Sequence, residues 1–285
     1  MAGSSPEREE SESARRGRLQ LRVRAAQSLS EARLRSRSIP ARPGRRRRAP
    51  LQRARPHRQY ERVGEWPGTR EELIEKQVRL AALDPVPWRP EPAARVGAVF
   101  VCFDRGGSGP GRAGDPAWAG ACVGHEAVVV PGRAGAPYEP GLLALREGAV
   151  LEAAVRALVQ PPEVLLVDAT GRDHPRRAGL ALHLGAVLDC PTIGVTHRPL
   201  VAEGEWPPDE RGASSPLLLD DELVGFWLRT RAGTRPLAVH AAWRTKPETV
   251  ADVVLSTSRV RTPEPLRQAR HRARVARAAA RPAMP

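Results

Sequence analysis

The stretch EVLLVDATGRDHPRRAGLALHLG, residues 163–185, constrains the fold more than any other. Its opening EVLLV reads as a short strand buried on both faces, the kind that lies in the middle of a sheet with helices on either side. The run stops at Asp168. A flexible turn with Asp173, His174, Pro175 and two arginines follows, and a helix is expected over about 176–188, opened by Pro175 at its first position. PTIGV at 191–195 reads as the next strand.

Elements on both sides extend this pattern. Thr69 and Glu72 in TREE form a capping box for a helix through about Leu83, with Leu73, Ile74, Val78, Leu80 and Ala81 as its apolar side. DPVPWRPEP ends that helix. RVGAVFVCF (95–103), AWAGACV (117–123) and EAVVV (126–130) read as three strands of a meander. Leu142, Leu145, Leu151, Val155 and Leu158 have helical spacing over 141–160. LVGFWLRT and PLAVHAAW form a late hairpin around RAGTR, and PETVADVVLST and PEPLRQARHRARVARAA close the chain as helices. The fold class is α/β: one mixed sheet flanked by helices, in a single domain over 65–282. Residues 1–64, rich in Arg, Ser and Pro, are expected to be a disordered basic tail.

The net charge of +14 is unevenly placed. Residues 1–60 hold 17 Arg against 5 Glu and residues 261–285 hold 7 Arg against 1 Glu, which leaves 61–260 at −4. The basic ends suit arms that hold phosphate. With Lys76 and Lys246 as the two lysines, the arginine excess also fits the codon bias of a GC-rich genome. For 265–281 a basic nucleic-acid helix and a solvated helix face are both open. Three cysteines without CxxC spacing read as buried thiols in a reducing cytoplasm, and no apolar run approaches the roughly 18 residues of a membrane span.

A carboxylate at the end of a buried strand is costly unless paired, protonated or bound to a cation. Asp168 therefore either caps the next turn or serves as a hard oxygen ligand for Mg²⁺ or Mn²⁺. Glu147, on an apolar helix beside Leu143, Val150 and Leu151, also needs a partner: a metal shared with Asp168, or an arginine such as Arg146. His174, Arg176 and Arg177 fit either a phosphate clamp or a polar turn. Gly171 and Gly179 allow close backbone approach.

PYEPGLLALREG, LLVDATGRDHPRRAGLALHLG, DCPTIGV and WRTKPETV together resemble the endonuclease V family, over about residues 69–275. The resemblance implies an RNase H-like fold and Mg²⁺-dependent cleavage of nucleic acid near deoxyinosine. It implies that Asp168 and Glu147 hold the ion and that His174 and His197 act near the attacked phosphate. Tyr138, after Pro137, would be the wedge that fills the space of a flipped base, with the turns at Gly141 and Gly171 against the extruded hypoxanthine. Arg176, Arg177 and Arg244 would contact nucleic acid. A weakly paired, altered base costs less to extrude, which itself gives selectivity.

Three positions depart from the family's pattern. Phe100 stands where the family has a catalytic Asp, His197 where it has Lys, and Trp243 in place of His before Arg244. An apolar ring cannot hold an ion, and Asp104 lies four residues on, about 13 Å along a strand at ~3.3 Å per residue. A single Mg²⁺ on Asp168 and Glu147 is then the expected arrangement. The leading expectation is a monomeric, cytoplasmic DNA-repair endonuclease acting 3′ to deoxyinosine or another deaminated base, in DNA or in inosine-containing RNA. The alternative is a lesion-binding protein of the same fold that has lost catalysis. A hydrolase of another kind has neither Ser–His–Asp spacing nor GxxxxGK[ST] to support it.

Overall fold

The chain divides into Met1–Glu61 and Arg62–Pro285. The computed structural model describes residues 66–104 and 111–280. The expected basic tail, 1–64, lies outside the described residues.

Helix α1 (Arg70–Ala81) begins at the expected capping box: the Thr69 hydroxyl accepts from the Glu72 N–H, and the Glu72 carboxylate accepts from the Thr69 N–H. Its buried side is Leu73, Gln77 and Leu80, while Val78 is exposed. Gln77 replaces Val78 on the inner face because its amide serves the site described below. Strands β1 (Val96–Phe103), β2 (Pro116–Val123) and β3 (Glu126–Arg133) form the antiparallel meander. Then come α2 (Leu143–Arg156), β4 (Val164–Val167), α3 (Leu180–Leu188) and β5 (Thr192–Thr196). The chain continues as β6 (Ser214–Leu219), β7 (Glu222–Leu228), β8 (Leu237–Ala241), α4 (Pro247–Ser256) and α5 (Glu264–Ala279). The eight strands form one sheet of order β3-β2-β1-β4-β5-β8-β7-β6. β4 runs parallel to both neighbours, β1 and β5. This is the RNase H-like mixed sheet, with β4 and β5 at its centre.

Helix α3 starts four residues later than Pro175 suggests. Arg177 takes a left-handed backbone, φ 56°, which breaks any helix there, and Gly179 becomes the N-cap. Strand β6 has no counterpart in the sequence reading. It carries Pro216 and lies at the sheet edge, where proline is tolerated. Asp220 and Asp221, both at positive φ, make the tight two-residue turn into β7.

All four residues of β4 are buried, and they alternate between two cores. Leu165 and Val167 pack with Leu73, Leu151 and Leu182 under α1–α3. Val164 and Leu166 pack with Ile193, Val254 and Leu266 under α4 and α5. Each fully buried leucine contributes about 1.5–3 kcal/mol. Among the described residues no helix is long and apolar enough to cross a membrane.

Helix α5 lies unusually close to the sheet. A Cβ at Gly120 of β2 would sit 2.5 Å from the Ala269 carbonyl oxygen, so glycine there lets the two backbones meet. Gly120→Ala is expected to destabilise the protein by about 1–3 kcal/mol, since an added methyl must push the helix off the strand. Urea unfolding of the two proteins measures this.

Candidate functional site

The site forms where β4 and β5 end, beside the middle of β1. Register pairs Val99 with Val167, so Phe100 and Asp168 emerge side by side. Asp168 does not face open solvent alone. Its Oδ1 accepts a hydrogen bond from an Arg270 guanidinium nitrogen at 2.8 Å, and the two side chains are 24% and 13% exposed. Arg270 also lies over the Phe100 ring, 5.6 Å from its centroid, and Arg274, one turn further along α5, lies at the same distance. Both are within cation–π range.

Glu147 of α2 approaches the same strand end. Burial, and then the charge of Asp168, push its pKa up to about 8, so it holds a proton at neutral pH. Arg146 lowers it only weakly, because that side chain turns the other way. Arg146 pairs with Asp115 at 2.9 Å and donates to the Arg112 and Ala136 carbonyls.

Beside Asp168 opens a pocket of about 180 Å³, framed by Tyr138, Gly141, Thr170, His174, Thr196 and Leu200. One wall is the PYEPG loop. Three donors converge on the Gly141 carbonyl: His174 Nε2 at 3.0 Å, Arg176 at 3.0 Å and the Gln77 amide at 3.1 Å. Gly141 itself takes φ 77°, the left-handed region that glycine adopts freely. His174 Nδ1 accepts from the Arg176 N–H at 3.1 Å, which places the ring proton on Nε2, facing Gly141. Burial pushes the His174 pKa down to about 4, so the ring is a neutral donor. Arg176 is further held by Gln77 at 2.6 Å.

The other wall is pinned by the preceding residue. The fully buried Asp173 carboxylate accepts from the N–H groups of Leu200, Val201 and Ala202 at 2.6, 2.9 and 2.7 Å. Behind it the buried His240 reaches Thr196 Oγ1 at 3.0 Å, and burial pushes the His240 pKa down to about 4. Asp173 and His174 thus fix opposite sides of one cavity.

The expected site residues divide into two sets. Glu147, Asp168, His174, Tyr138, Gly141 and Arg176 come together, with exposed Pro137 beside Tyr138 on the lip. His197 lies close by, its Nδ1 2.9 Å from an Arg261 guanidinium nitrogen, and burial and then Arg261 and Arg270 hold its pKa below the usual histidine value. Gly171 sits behind the site, where a Cβ would be 2.2 Å from the Ala241 carbonyl oxygen. Arg177 is drawn to the β6–β7 turn by Asp220 and Glu222, each at 3.0 Å. Arg244 is at the opposite end of the sheet: β8 runs antiparallel to β5, so Arg244 lies near the start of β5, beside Asp189. Gln77, Asp173 and Arg261 are functional candidates to which the sequence reading gave no role. Arg270 and Arg274 belong to the 265–281 helix whose basic face was left open, and their spacing of four puts both on one side of it.

A divalent ion does not fit the residues present. Among the described residues no three His, Cys, Asp or Glu side chains lie close enough together to hold one ion. Asp168 is already paired with Arg270, and the Phe100 ring fills the adjacent position.

The site thus sets an acid at the end of a central strand of an RNase H-like sheet, with a basic helix over it and a small pocket beside it. The profile of the endonuclease V family matches residues 120–271. The endonuclease V of Streptomyces coelicolor is 36% identical over 207 residues, which cover 72% of this chain and 89% of that protein. The endonuclease V of Roseiflexus castenholzii is 43% identical over 134 residues, 47% of this chain, and the matched part spans 60% of that protein. The crystal structure of endonuclease V from Streptomyces avermitilis superposes with a TM-score of 0.65 at 34% identity, covering 75% of this chain and 96% of that one. Endonuclease V of Ciona intestinalis, solved with DNA containing an inosine followed by a ribo-adenosine, shares the fold at a TM-score of 0.62 and 20% identity, over 74% of this chain and 98% of that one. This chain belongs to the endonuclease V family.

Two pH effects follow with opposite signs. His174 binds a proton below about 6.5 when unfolded but only near 4 when folded, so its contribution to stability is complete above 6.5 and is lost as pH falls toward 4. Glu147 takes up a proton on folding anywhere between 4.5 and 8, so its contribution is lost as pH rises through that window. Glu147→Gln is expected to raise the melting temperature at pH 8 more than at pH 5. Thermal unfolding at the two values checks it.

Proposed function

We propose that this protein recognises nucleic acid carrying a deaminated base, hypoxanthine above all, as a monomeric DNA-repair protein of the cytoplasm. The observation that carries this reading is the pocket between Tyr138 and the Asp168–Thr170 turn, with both walls locked by hydrogen bonds before any ligand arrives. A flipped base pays the unstacking cost once, and a preformed pocket adds no ordering cost of its own. Tyr138, half-exposed on the lip, stacks in the gap that the base leaves. The Gly141 turn, free of a side chain, brings backbone against the base. The same fold in the Ciona protein holds inosine-containing DNA.

The second reading is hydrolysis of a phosphodiester 3′ to the lesion, in DNA or inosine-containing RNA, with Mg²⁺, or Mn²⁺ in its place, as the family resemblance implies. Its support is Glu147, a carboxyl beside Asp168 with no cation partner among the described residues. Against it stand Phe100 and the Arg270 guanidinium on Asp168. Loss of one electrostatic stabiliser costs ~10²–10³ in rate, so any nicking is expected to be slow.

Filter retention of an inosine-containing duplex, beside the same duplex with adenosine in its place, tests the first reading. The inosine duplex should bind more tightly, and Tyr138→Ala should remove about 1–3 kcal/mol of that preference. Equal affinity for the two duplexes sinks it. Nicking of the inosine duplex in Mg²⁺ or Mn²⁺ that disappears in Asp168→Ala would establish the hydrolytic reading instead.

A further inference from the structure

Three arginines and one histidine crowd the mouth of the site, from segments far apart in the chain. Arg261 bonds His197, Arg270 bonds Asp168, and Arg274 lies over Phe100 with no ion pair among the described residues. Charge repulsion among them is written into their surroundings: Arg270 is among the causes that lower the pKa of both Arg261 and His197. Among the described residues, the carboxylate that answers this charge directly is Asp168, through Arg270 at 2.8 Å. Arg270 uses one terminal nitrogen on Asp168, and its buried Nε has no hydrogen-bond partner among the described residues. A guanidinium carries five donors in a planar fork suited to phosphate. The helix that presents Arg270 and Arg274 is held at a fixed distance by the Gly120–Ala269 contact and by the Cys122 thiol donating to the Pro265 carbonyl at 3.0 Å. Arg277, one turn beyond Arg274, is tied to the Phe103 carbonyl and closes the row along β1.

We propose that Arg261, Arg270 and Arg274 form a phosphodiester-binding site that works without a divalent ion, with the Arg270 guanidinium standing where the family places its metal. Asp168 is then a positioning residue: it holds the Arg270 fork over Phe100, and the remaining donors take a backbone phosphate of the bound strand. The two faces of the site divide the work. The pocket reads the base, and the arginine row holds the backbone. A protein cation in place of an exchangeable ion also makes lesion binding independent of magnesium supply. The site rests on the nucleic-acid reading above, but it concerns the phosphate and not the base.

Fluorescence anisotropy of the full chain, with labelled single strands of DNA that do or do not carry one deoxyinosine, tests this across a salt series. Affinity is expected to be the same in excess chelator as in Mg²⁺. Arg270→Gln and Arg274→Gln should each weaken both strands roughly tenfold and by the same factor, and should reduce the salt slope by about one. Arg267→Gln, whose guanidinium is spent on Glu264 at 2.7 and 2.8 Å, should change neither. Asp168→Asn keeps an acceptor for Arg270 and removes the opposing charge, so binding should tighten. Binding that collapses in chelator, or that weakens in Asp168→Asn, overturns the proposal in favour of a metal. Unchanged salt slopes in both arginine variants, with circular dichroism showing them folded, overturn it as well. Loss of the inosine preference alone, with these slopes intact, would refute the base reading and leave the phosphate site standing.

Discussion

Three backbone N–H groups converge on the Asp173 carboxylate, and the residue after it anchors the opposite wall of the same pocket. A fully buried carboxylate without partners would cost several kcal/mol. Charge-assisted bonds to Leu200, Val201 and Ala202 offset that cost and hold the segment after β5 against the turn after β4. His174 does the same for the PYEPG loop through Gly141, as a neutral donor whose tautomer is set by Arg176. One dipeptide therefore joins three loops that would otherwise move independently, and the pocket exists because of it.

This assigns the charged residues of the turn to architecture before chemistry. Arg176 converges on Gly141 with Gln77, Arg177 serves the edge hairpin, and burial keeps the His174 ring neutral while its Nε2–H donates to Gly141. What remains for chemistry is the strand end itself. There the two acids have gone separate ways, Asp168 to an arginine and Glu147 to a proton. A like-charged pair at one site resolves its repulsion by one of three routes, a metal, a proton or a counter-ion. In this chain Asp168 takes the counter-ion route, through Arg270.

Much of this was legible in the residues. The capping box at Thr69, the doubly buried EVLLV strand and the meander before it follow from local spacing, and each is present. The convergence of Glu147, Asp168, His174 and Tyr138 was likewise expected from the family's motifs. Val78 and Gln77 exchange faces because a buried amide with two partners outweighs one apolar contact, and no periodicity reports that. Strand β6 was hidden by its proline and its edge position, where burial is too slight to impose alternation.

The sequence by itself determined the order of elements apart from β6, the acid at the end of a central strand and the family to which the chain belongs. These depend on neighbours a few residues apart, whose side-chain period is visible in one dimension. Only the tertiary structure decided that Arg270, 102 residues from Asp168, would occupy its carboxylate. It also decided that Arg244 would fall at the far end of the sheet, because strand direction, not chain position, sets the end at which a side chain emerges. Long guanidinium side chains have reach but no period. Their partners are chosen by how α5 settles on β1 and β2, through contacts as small as the missing Cβ of Gly120.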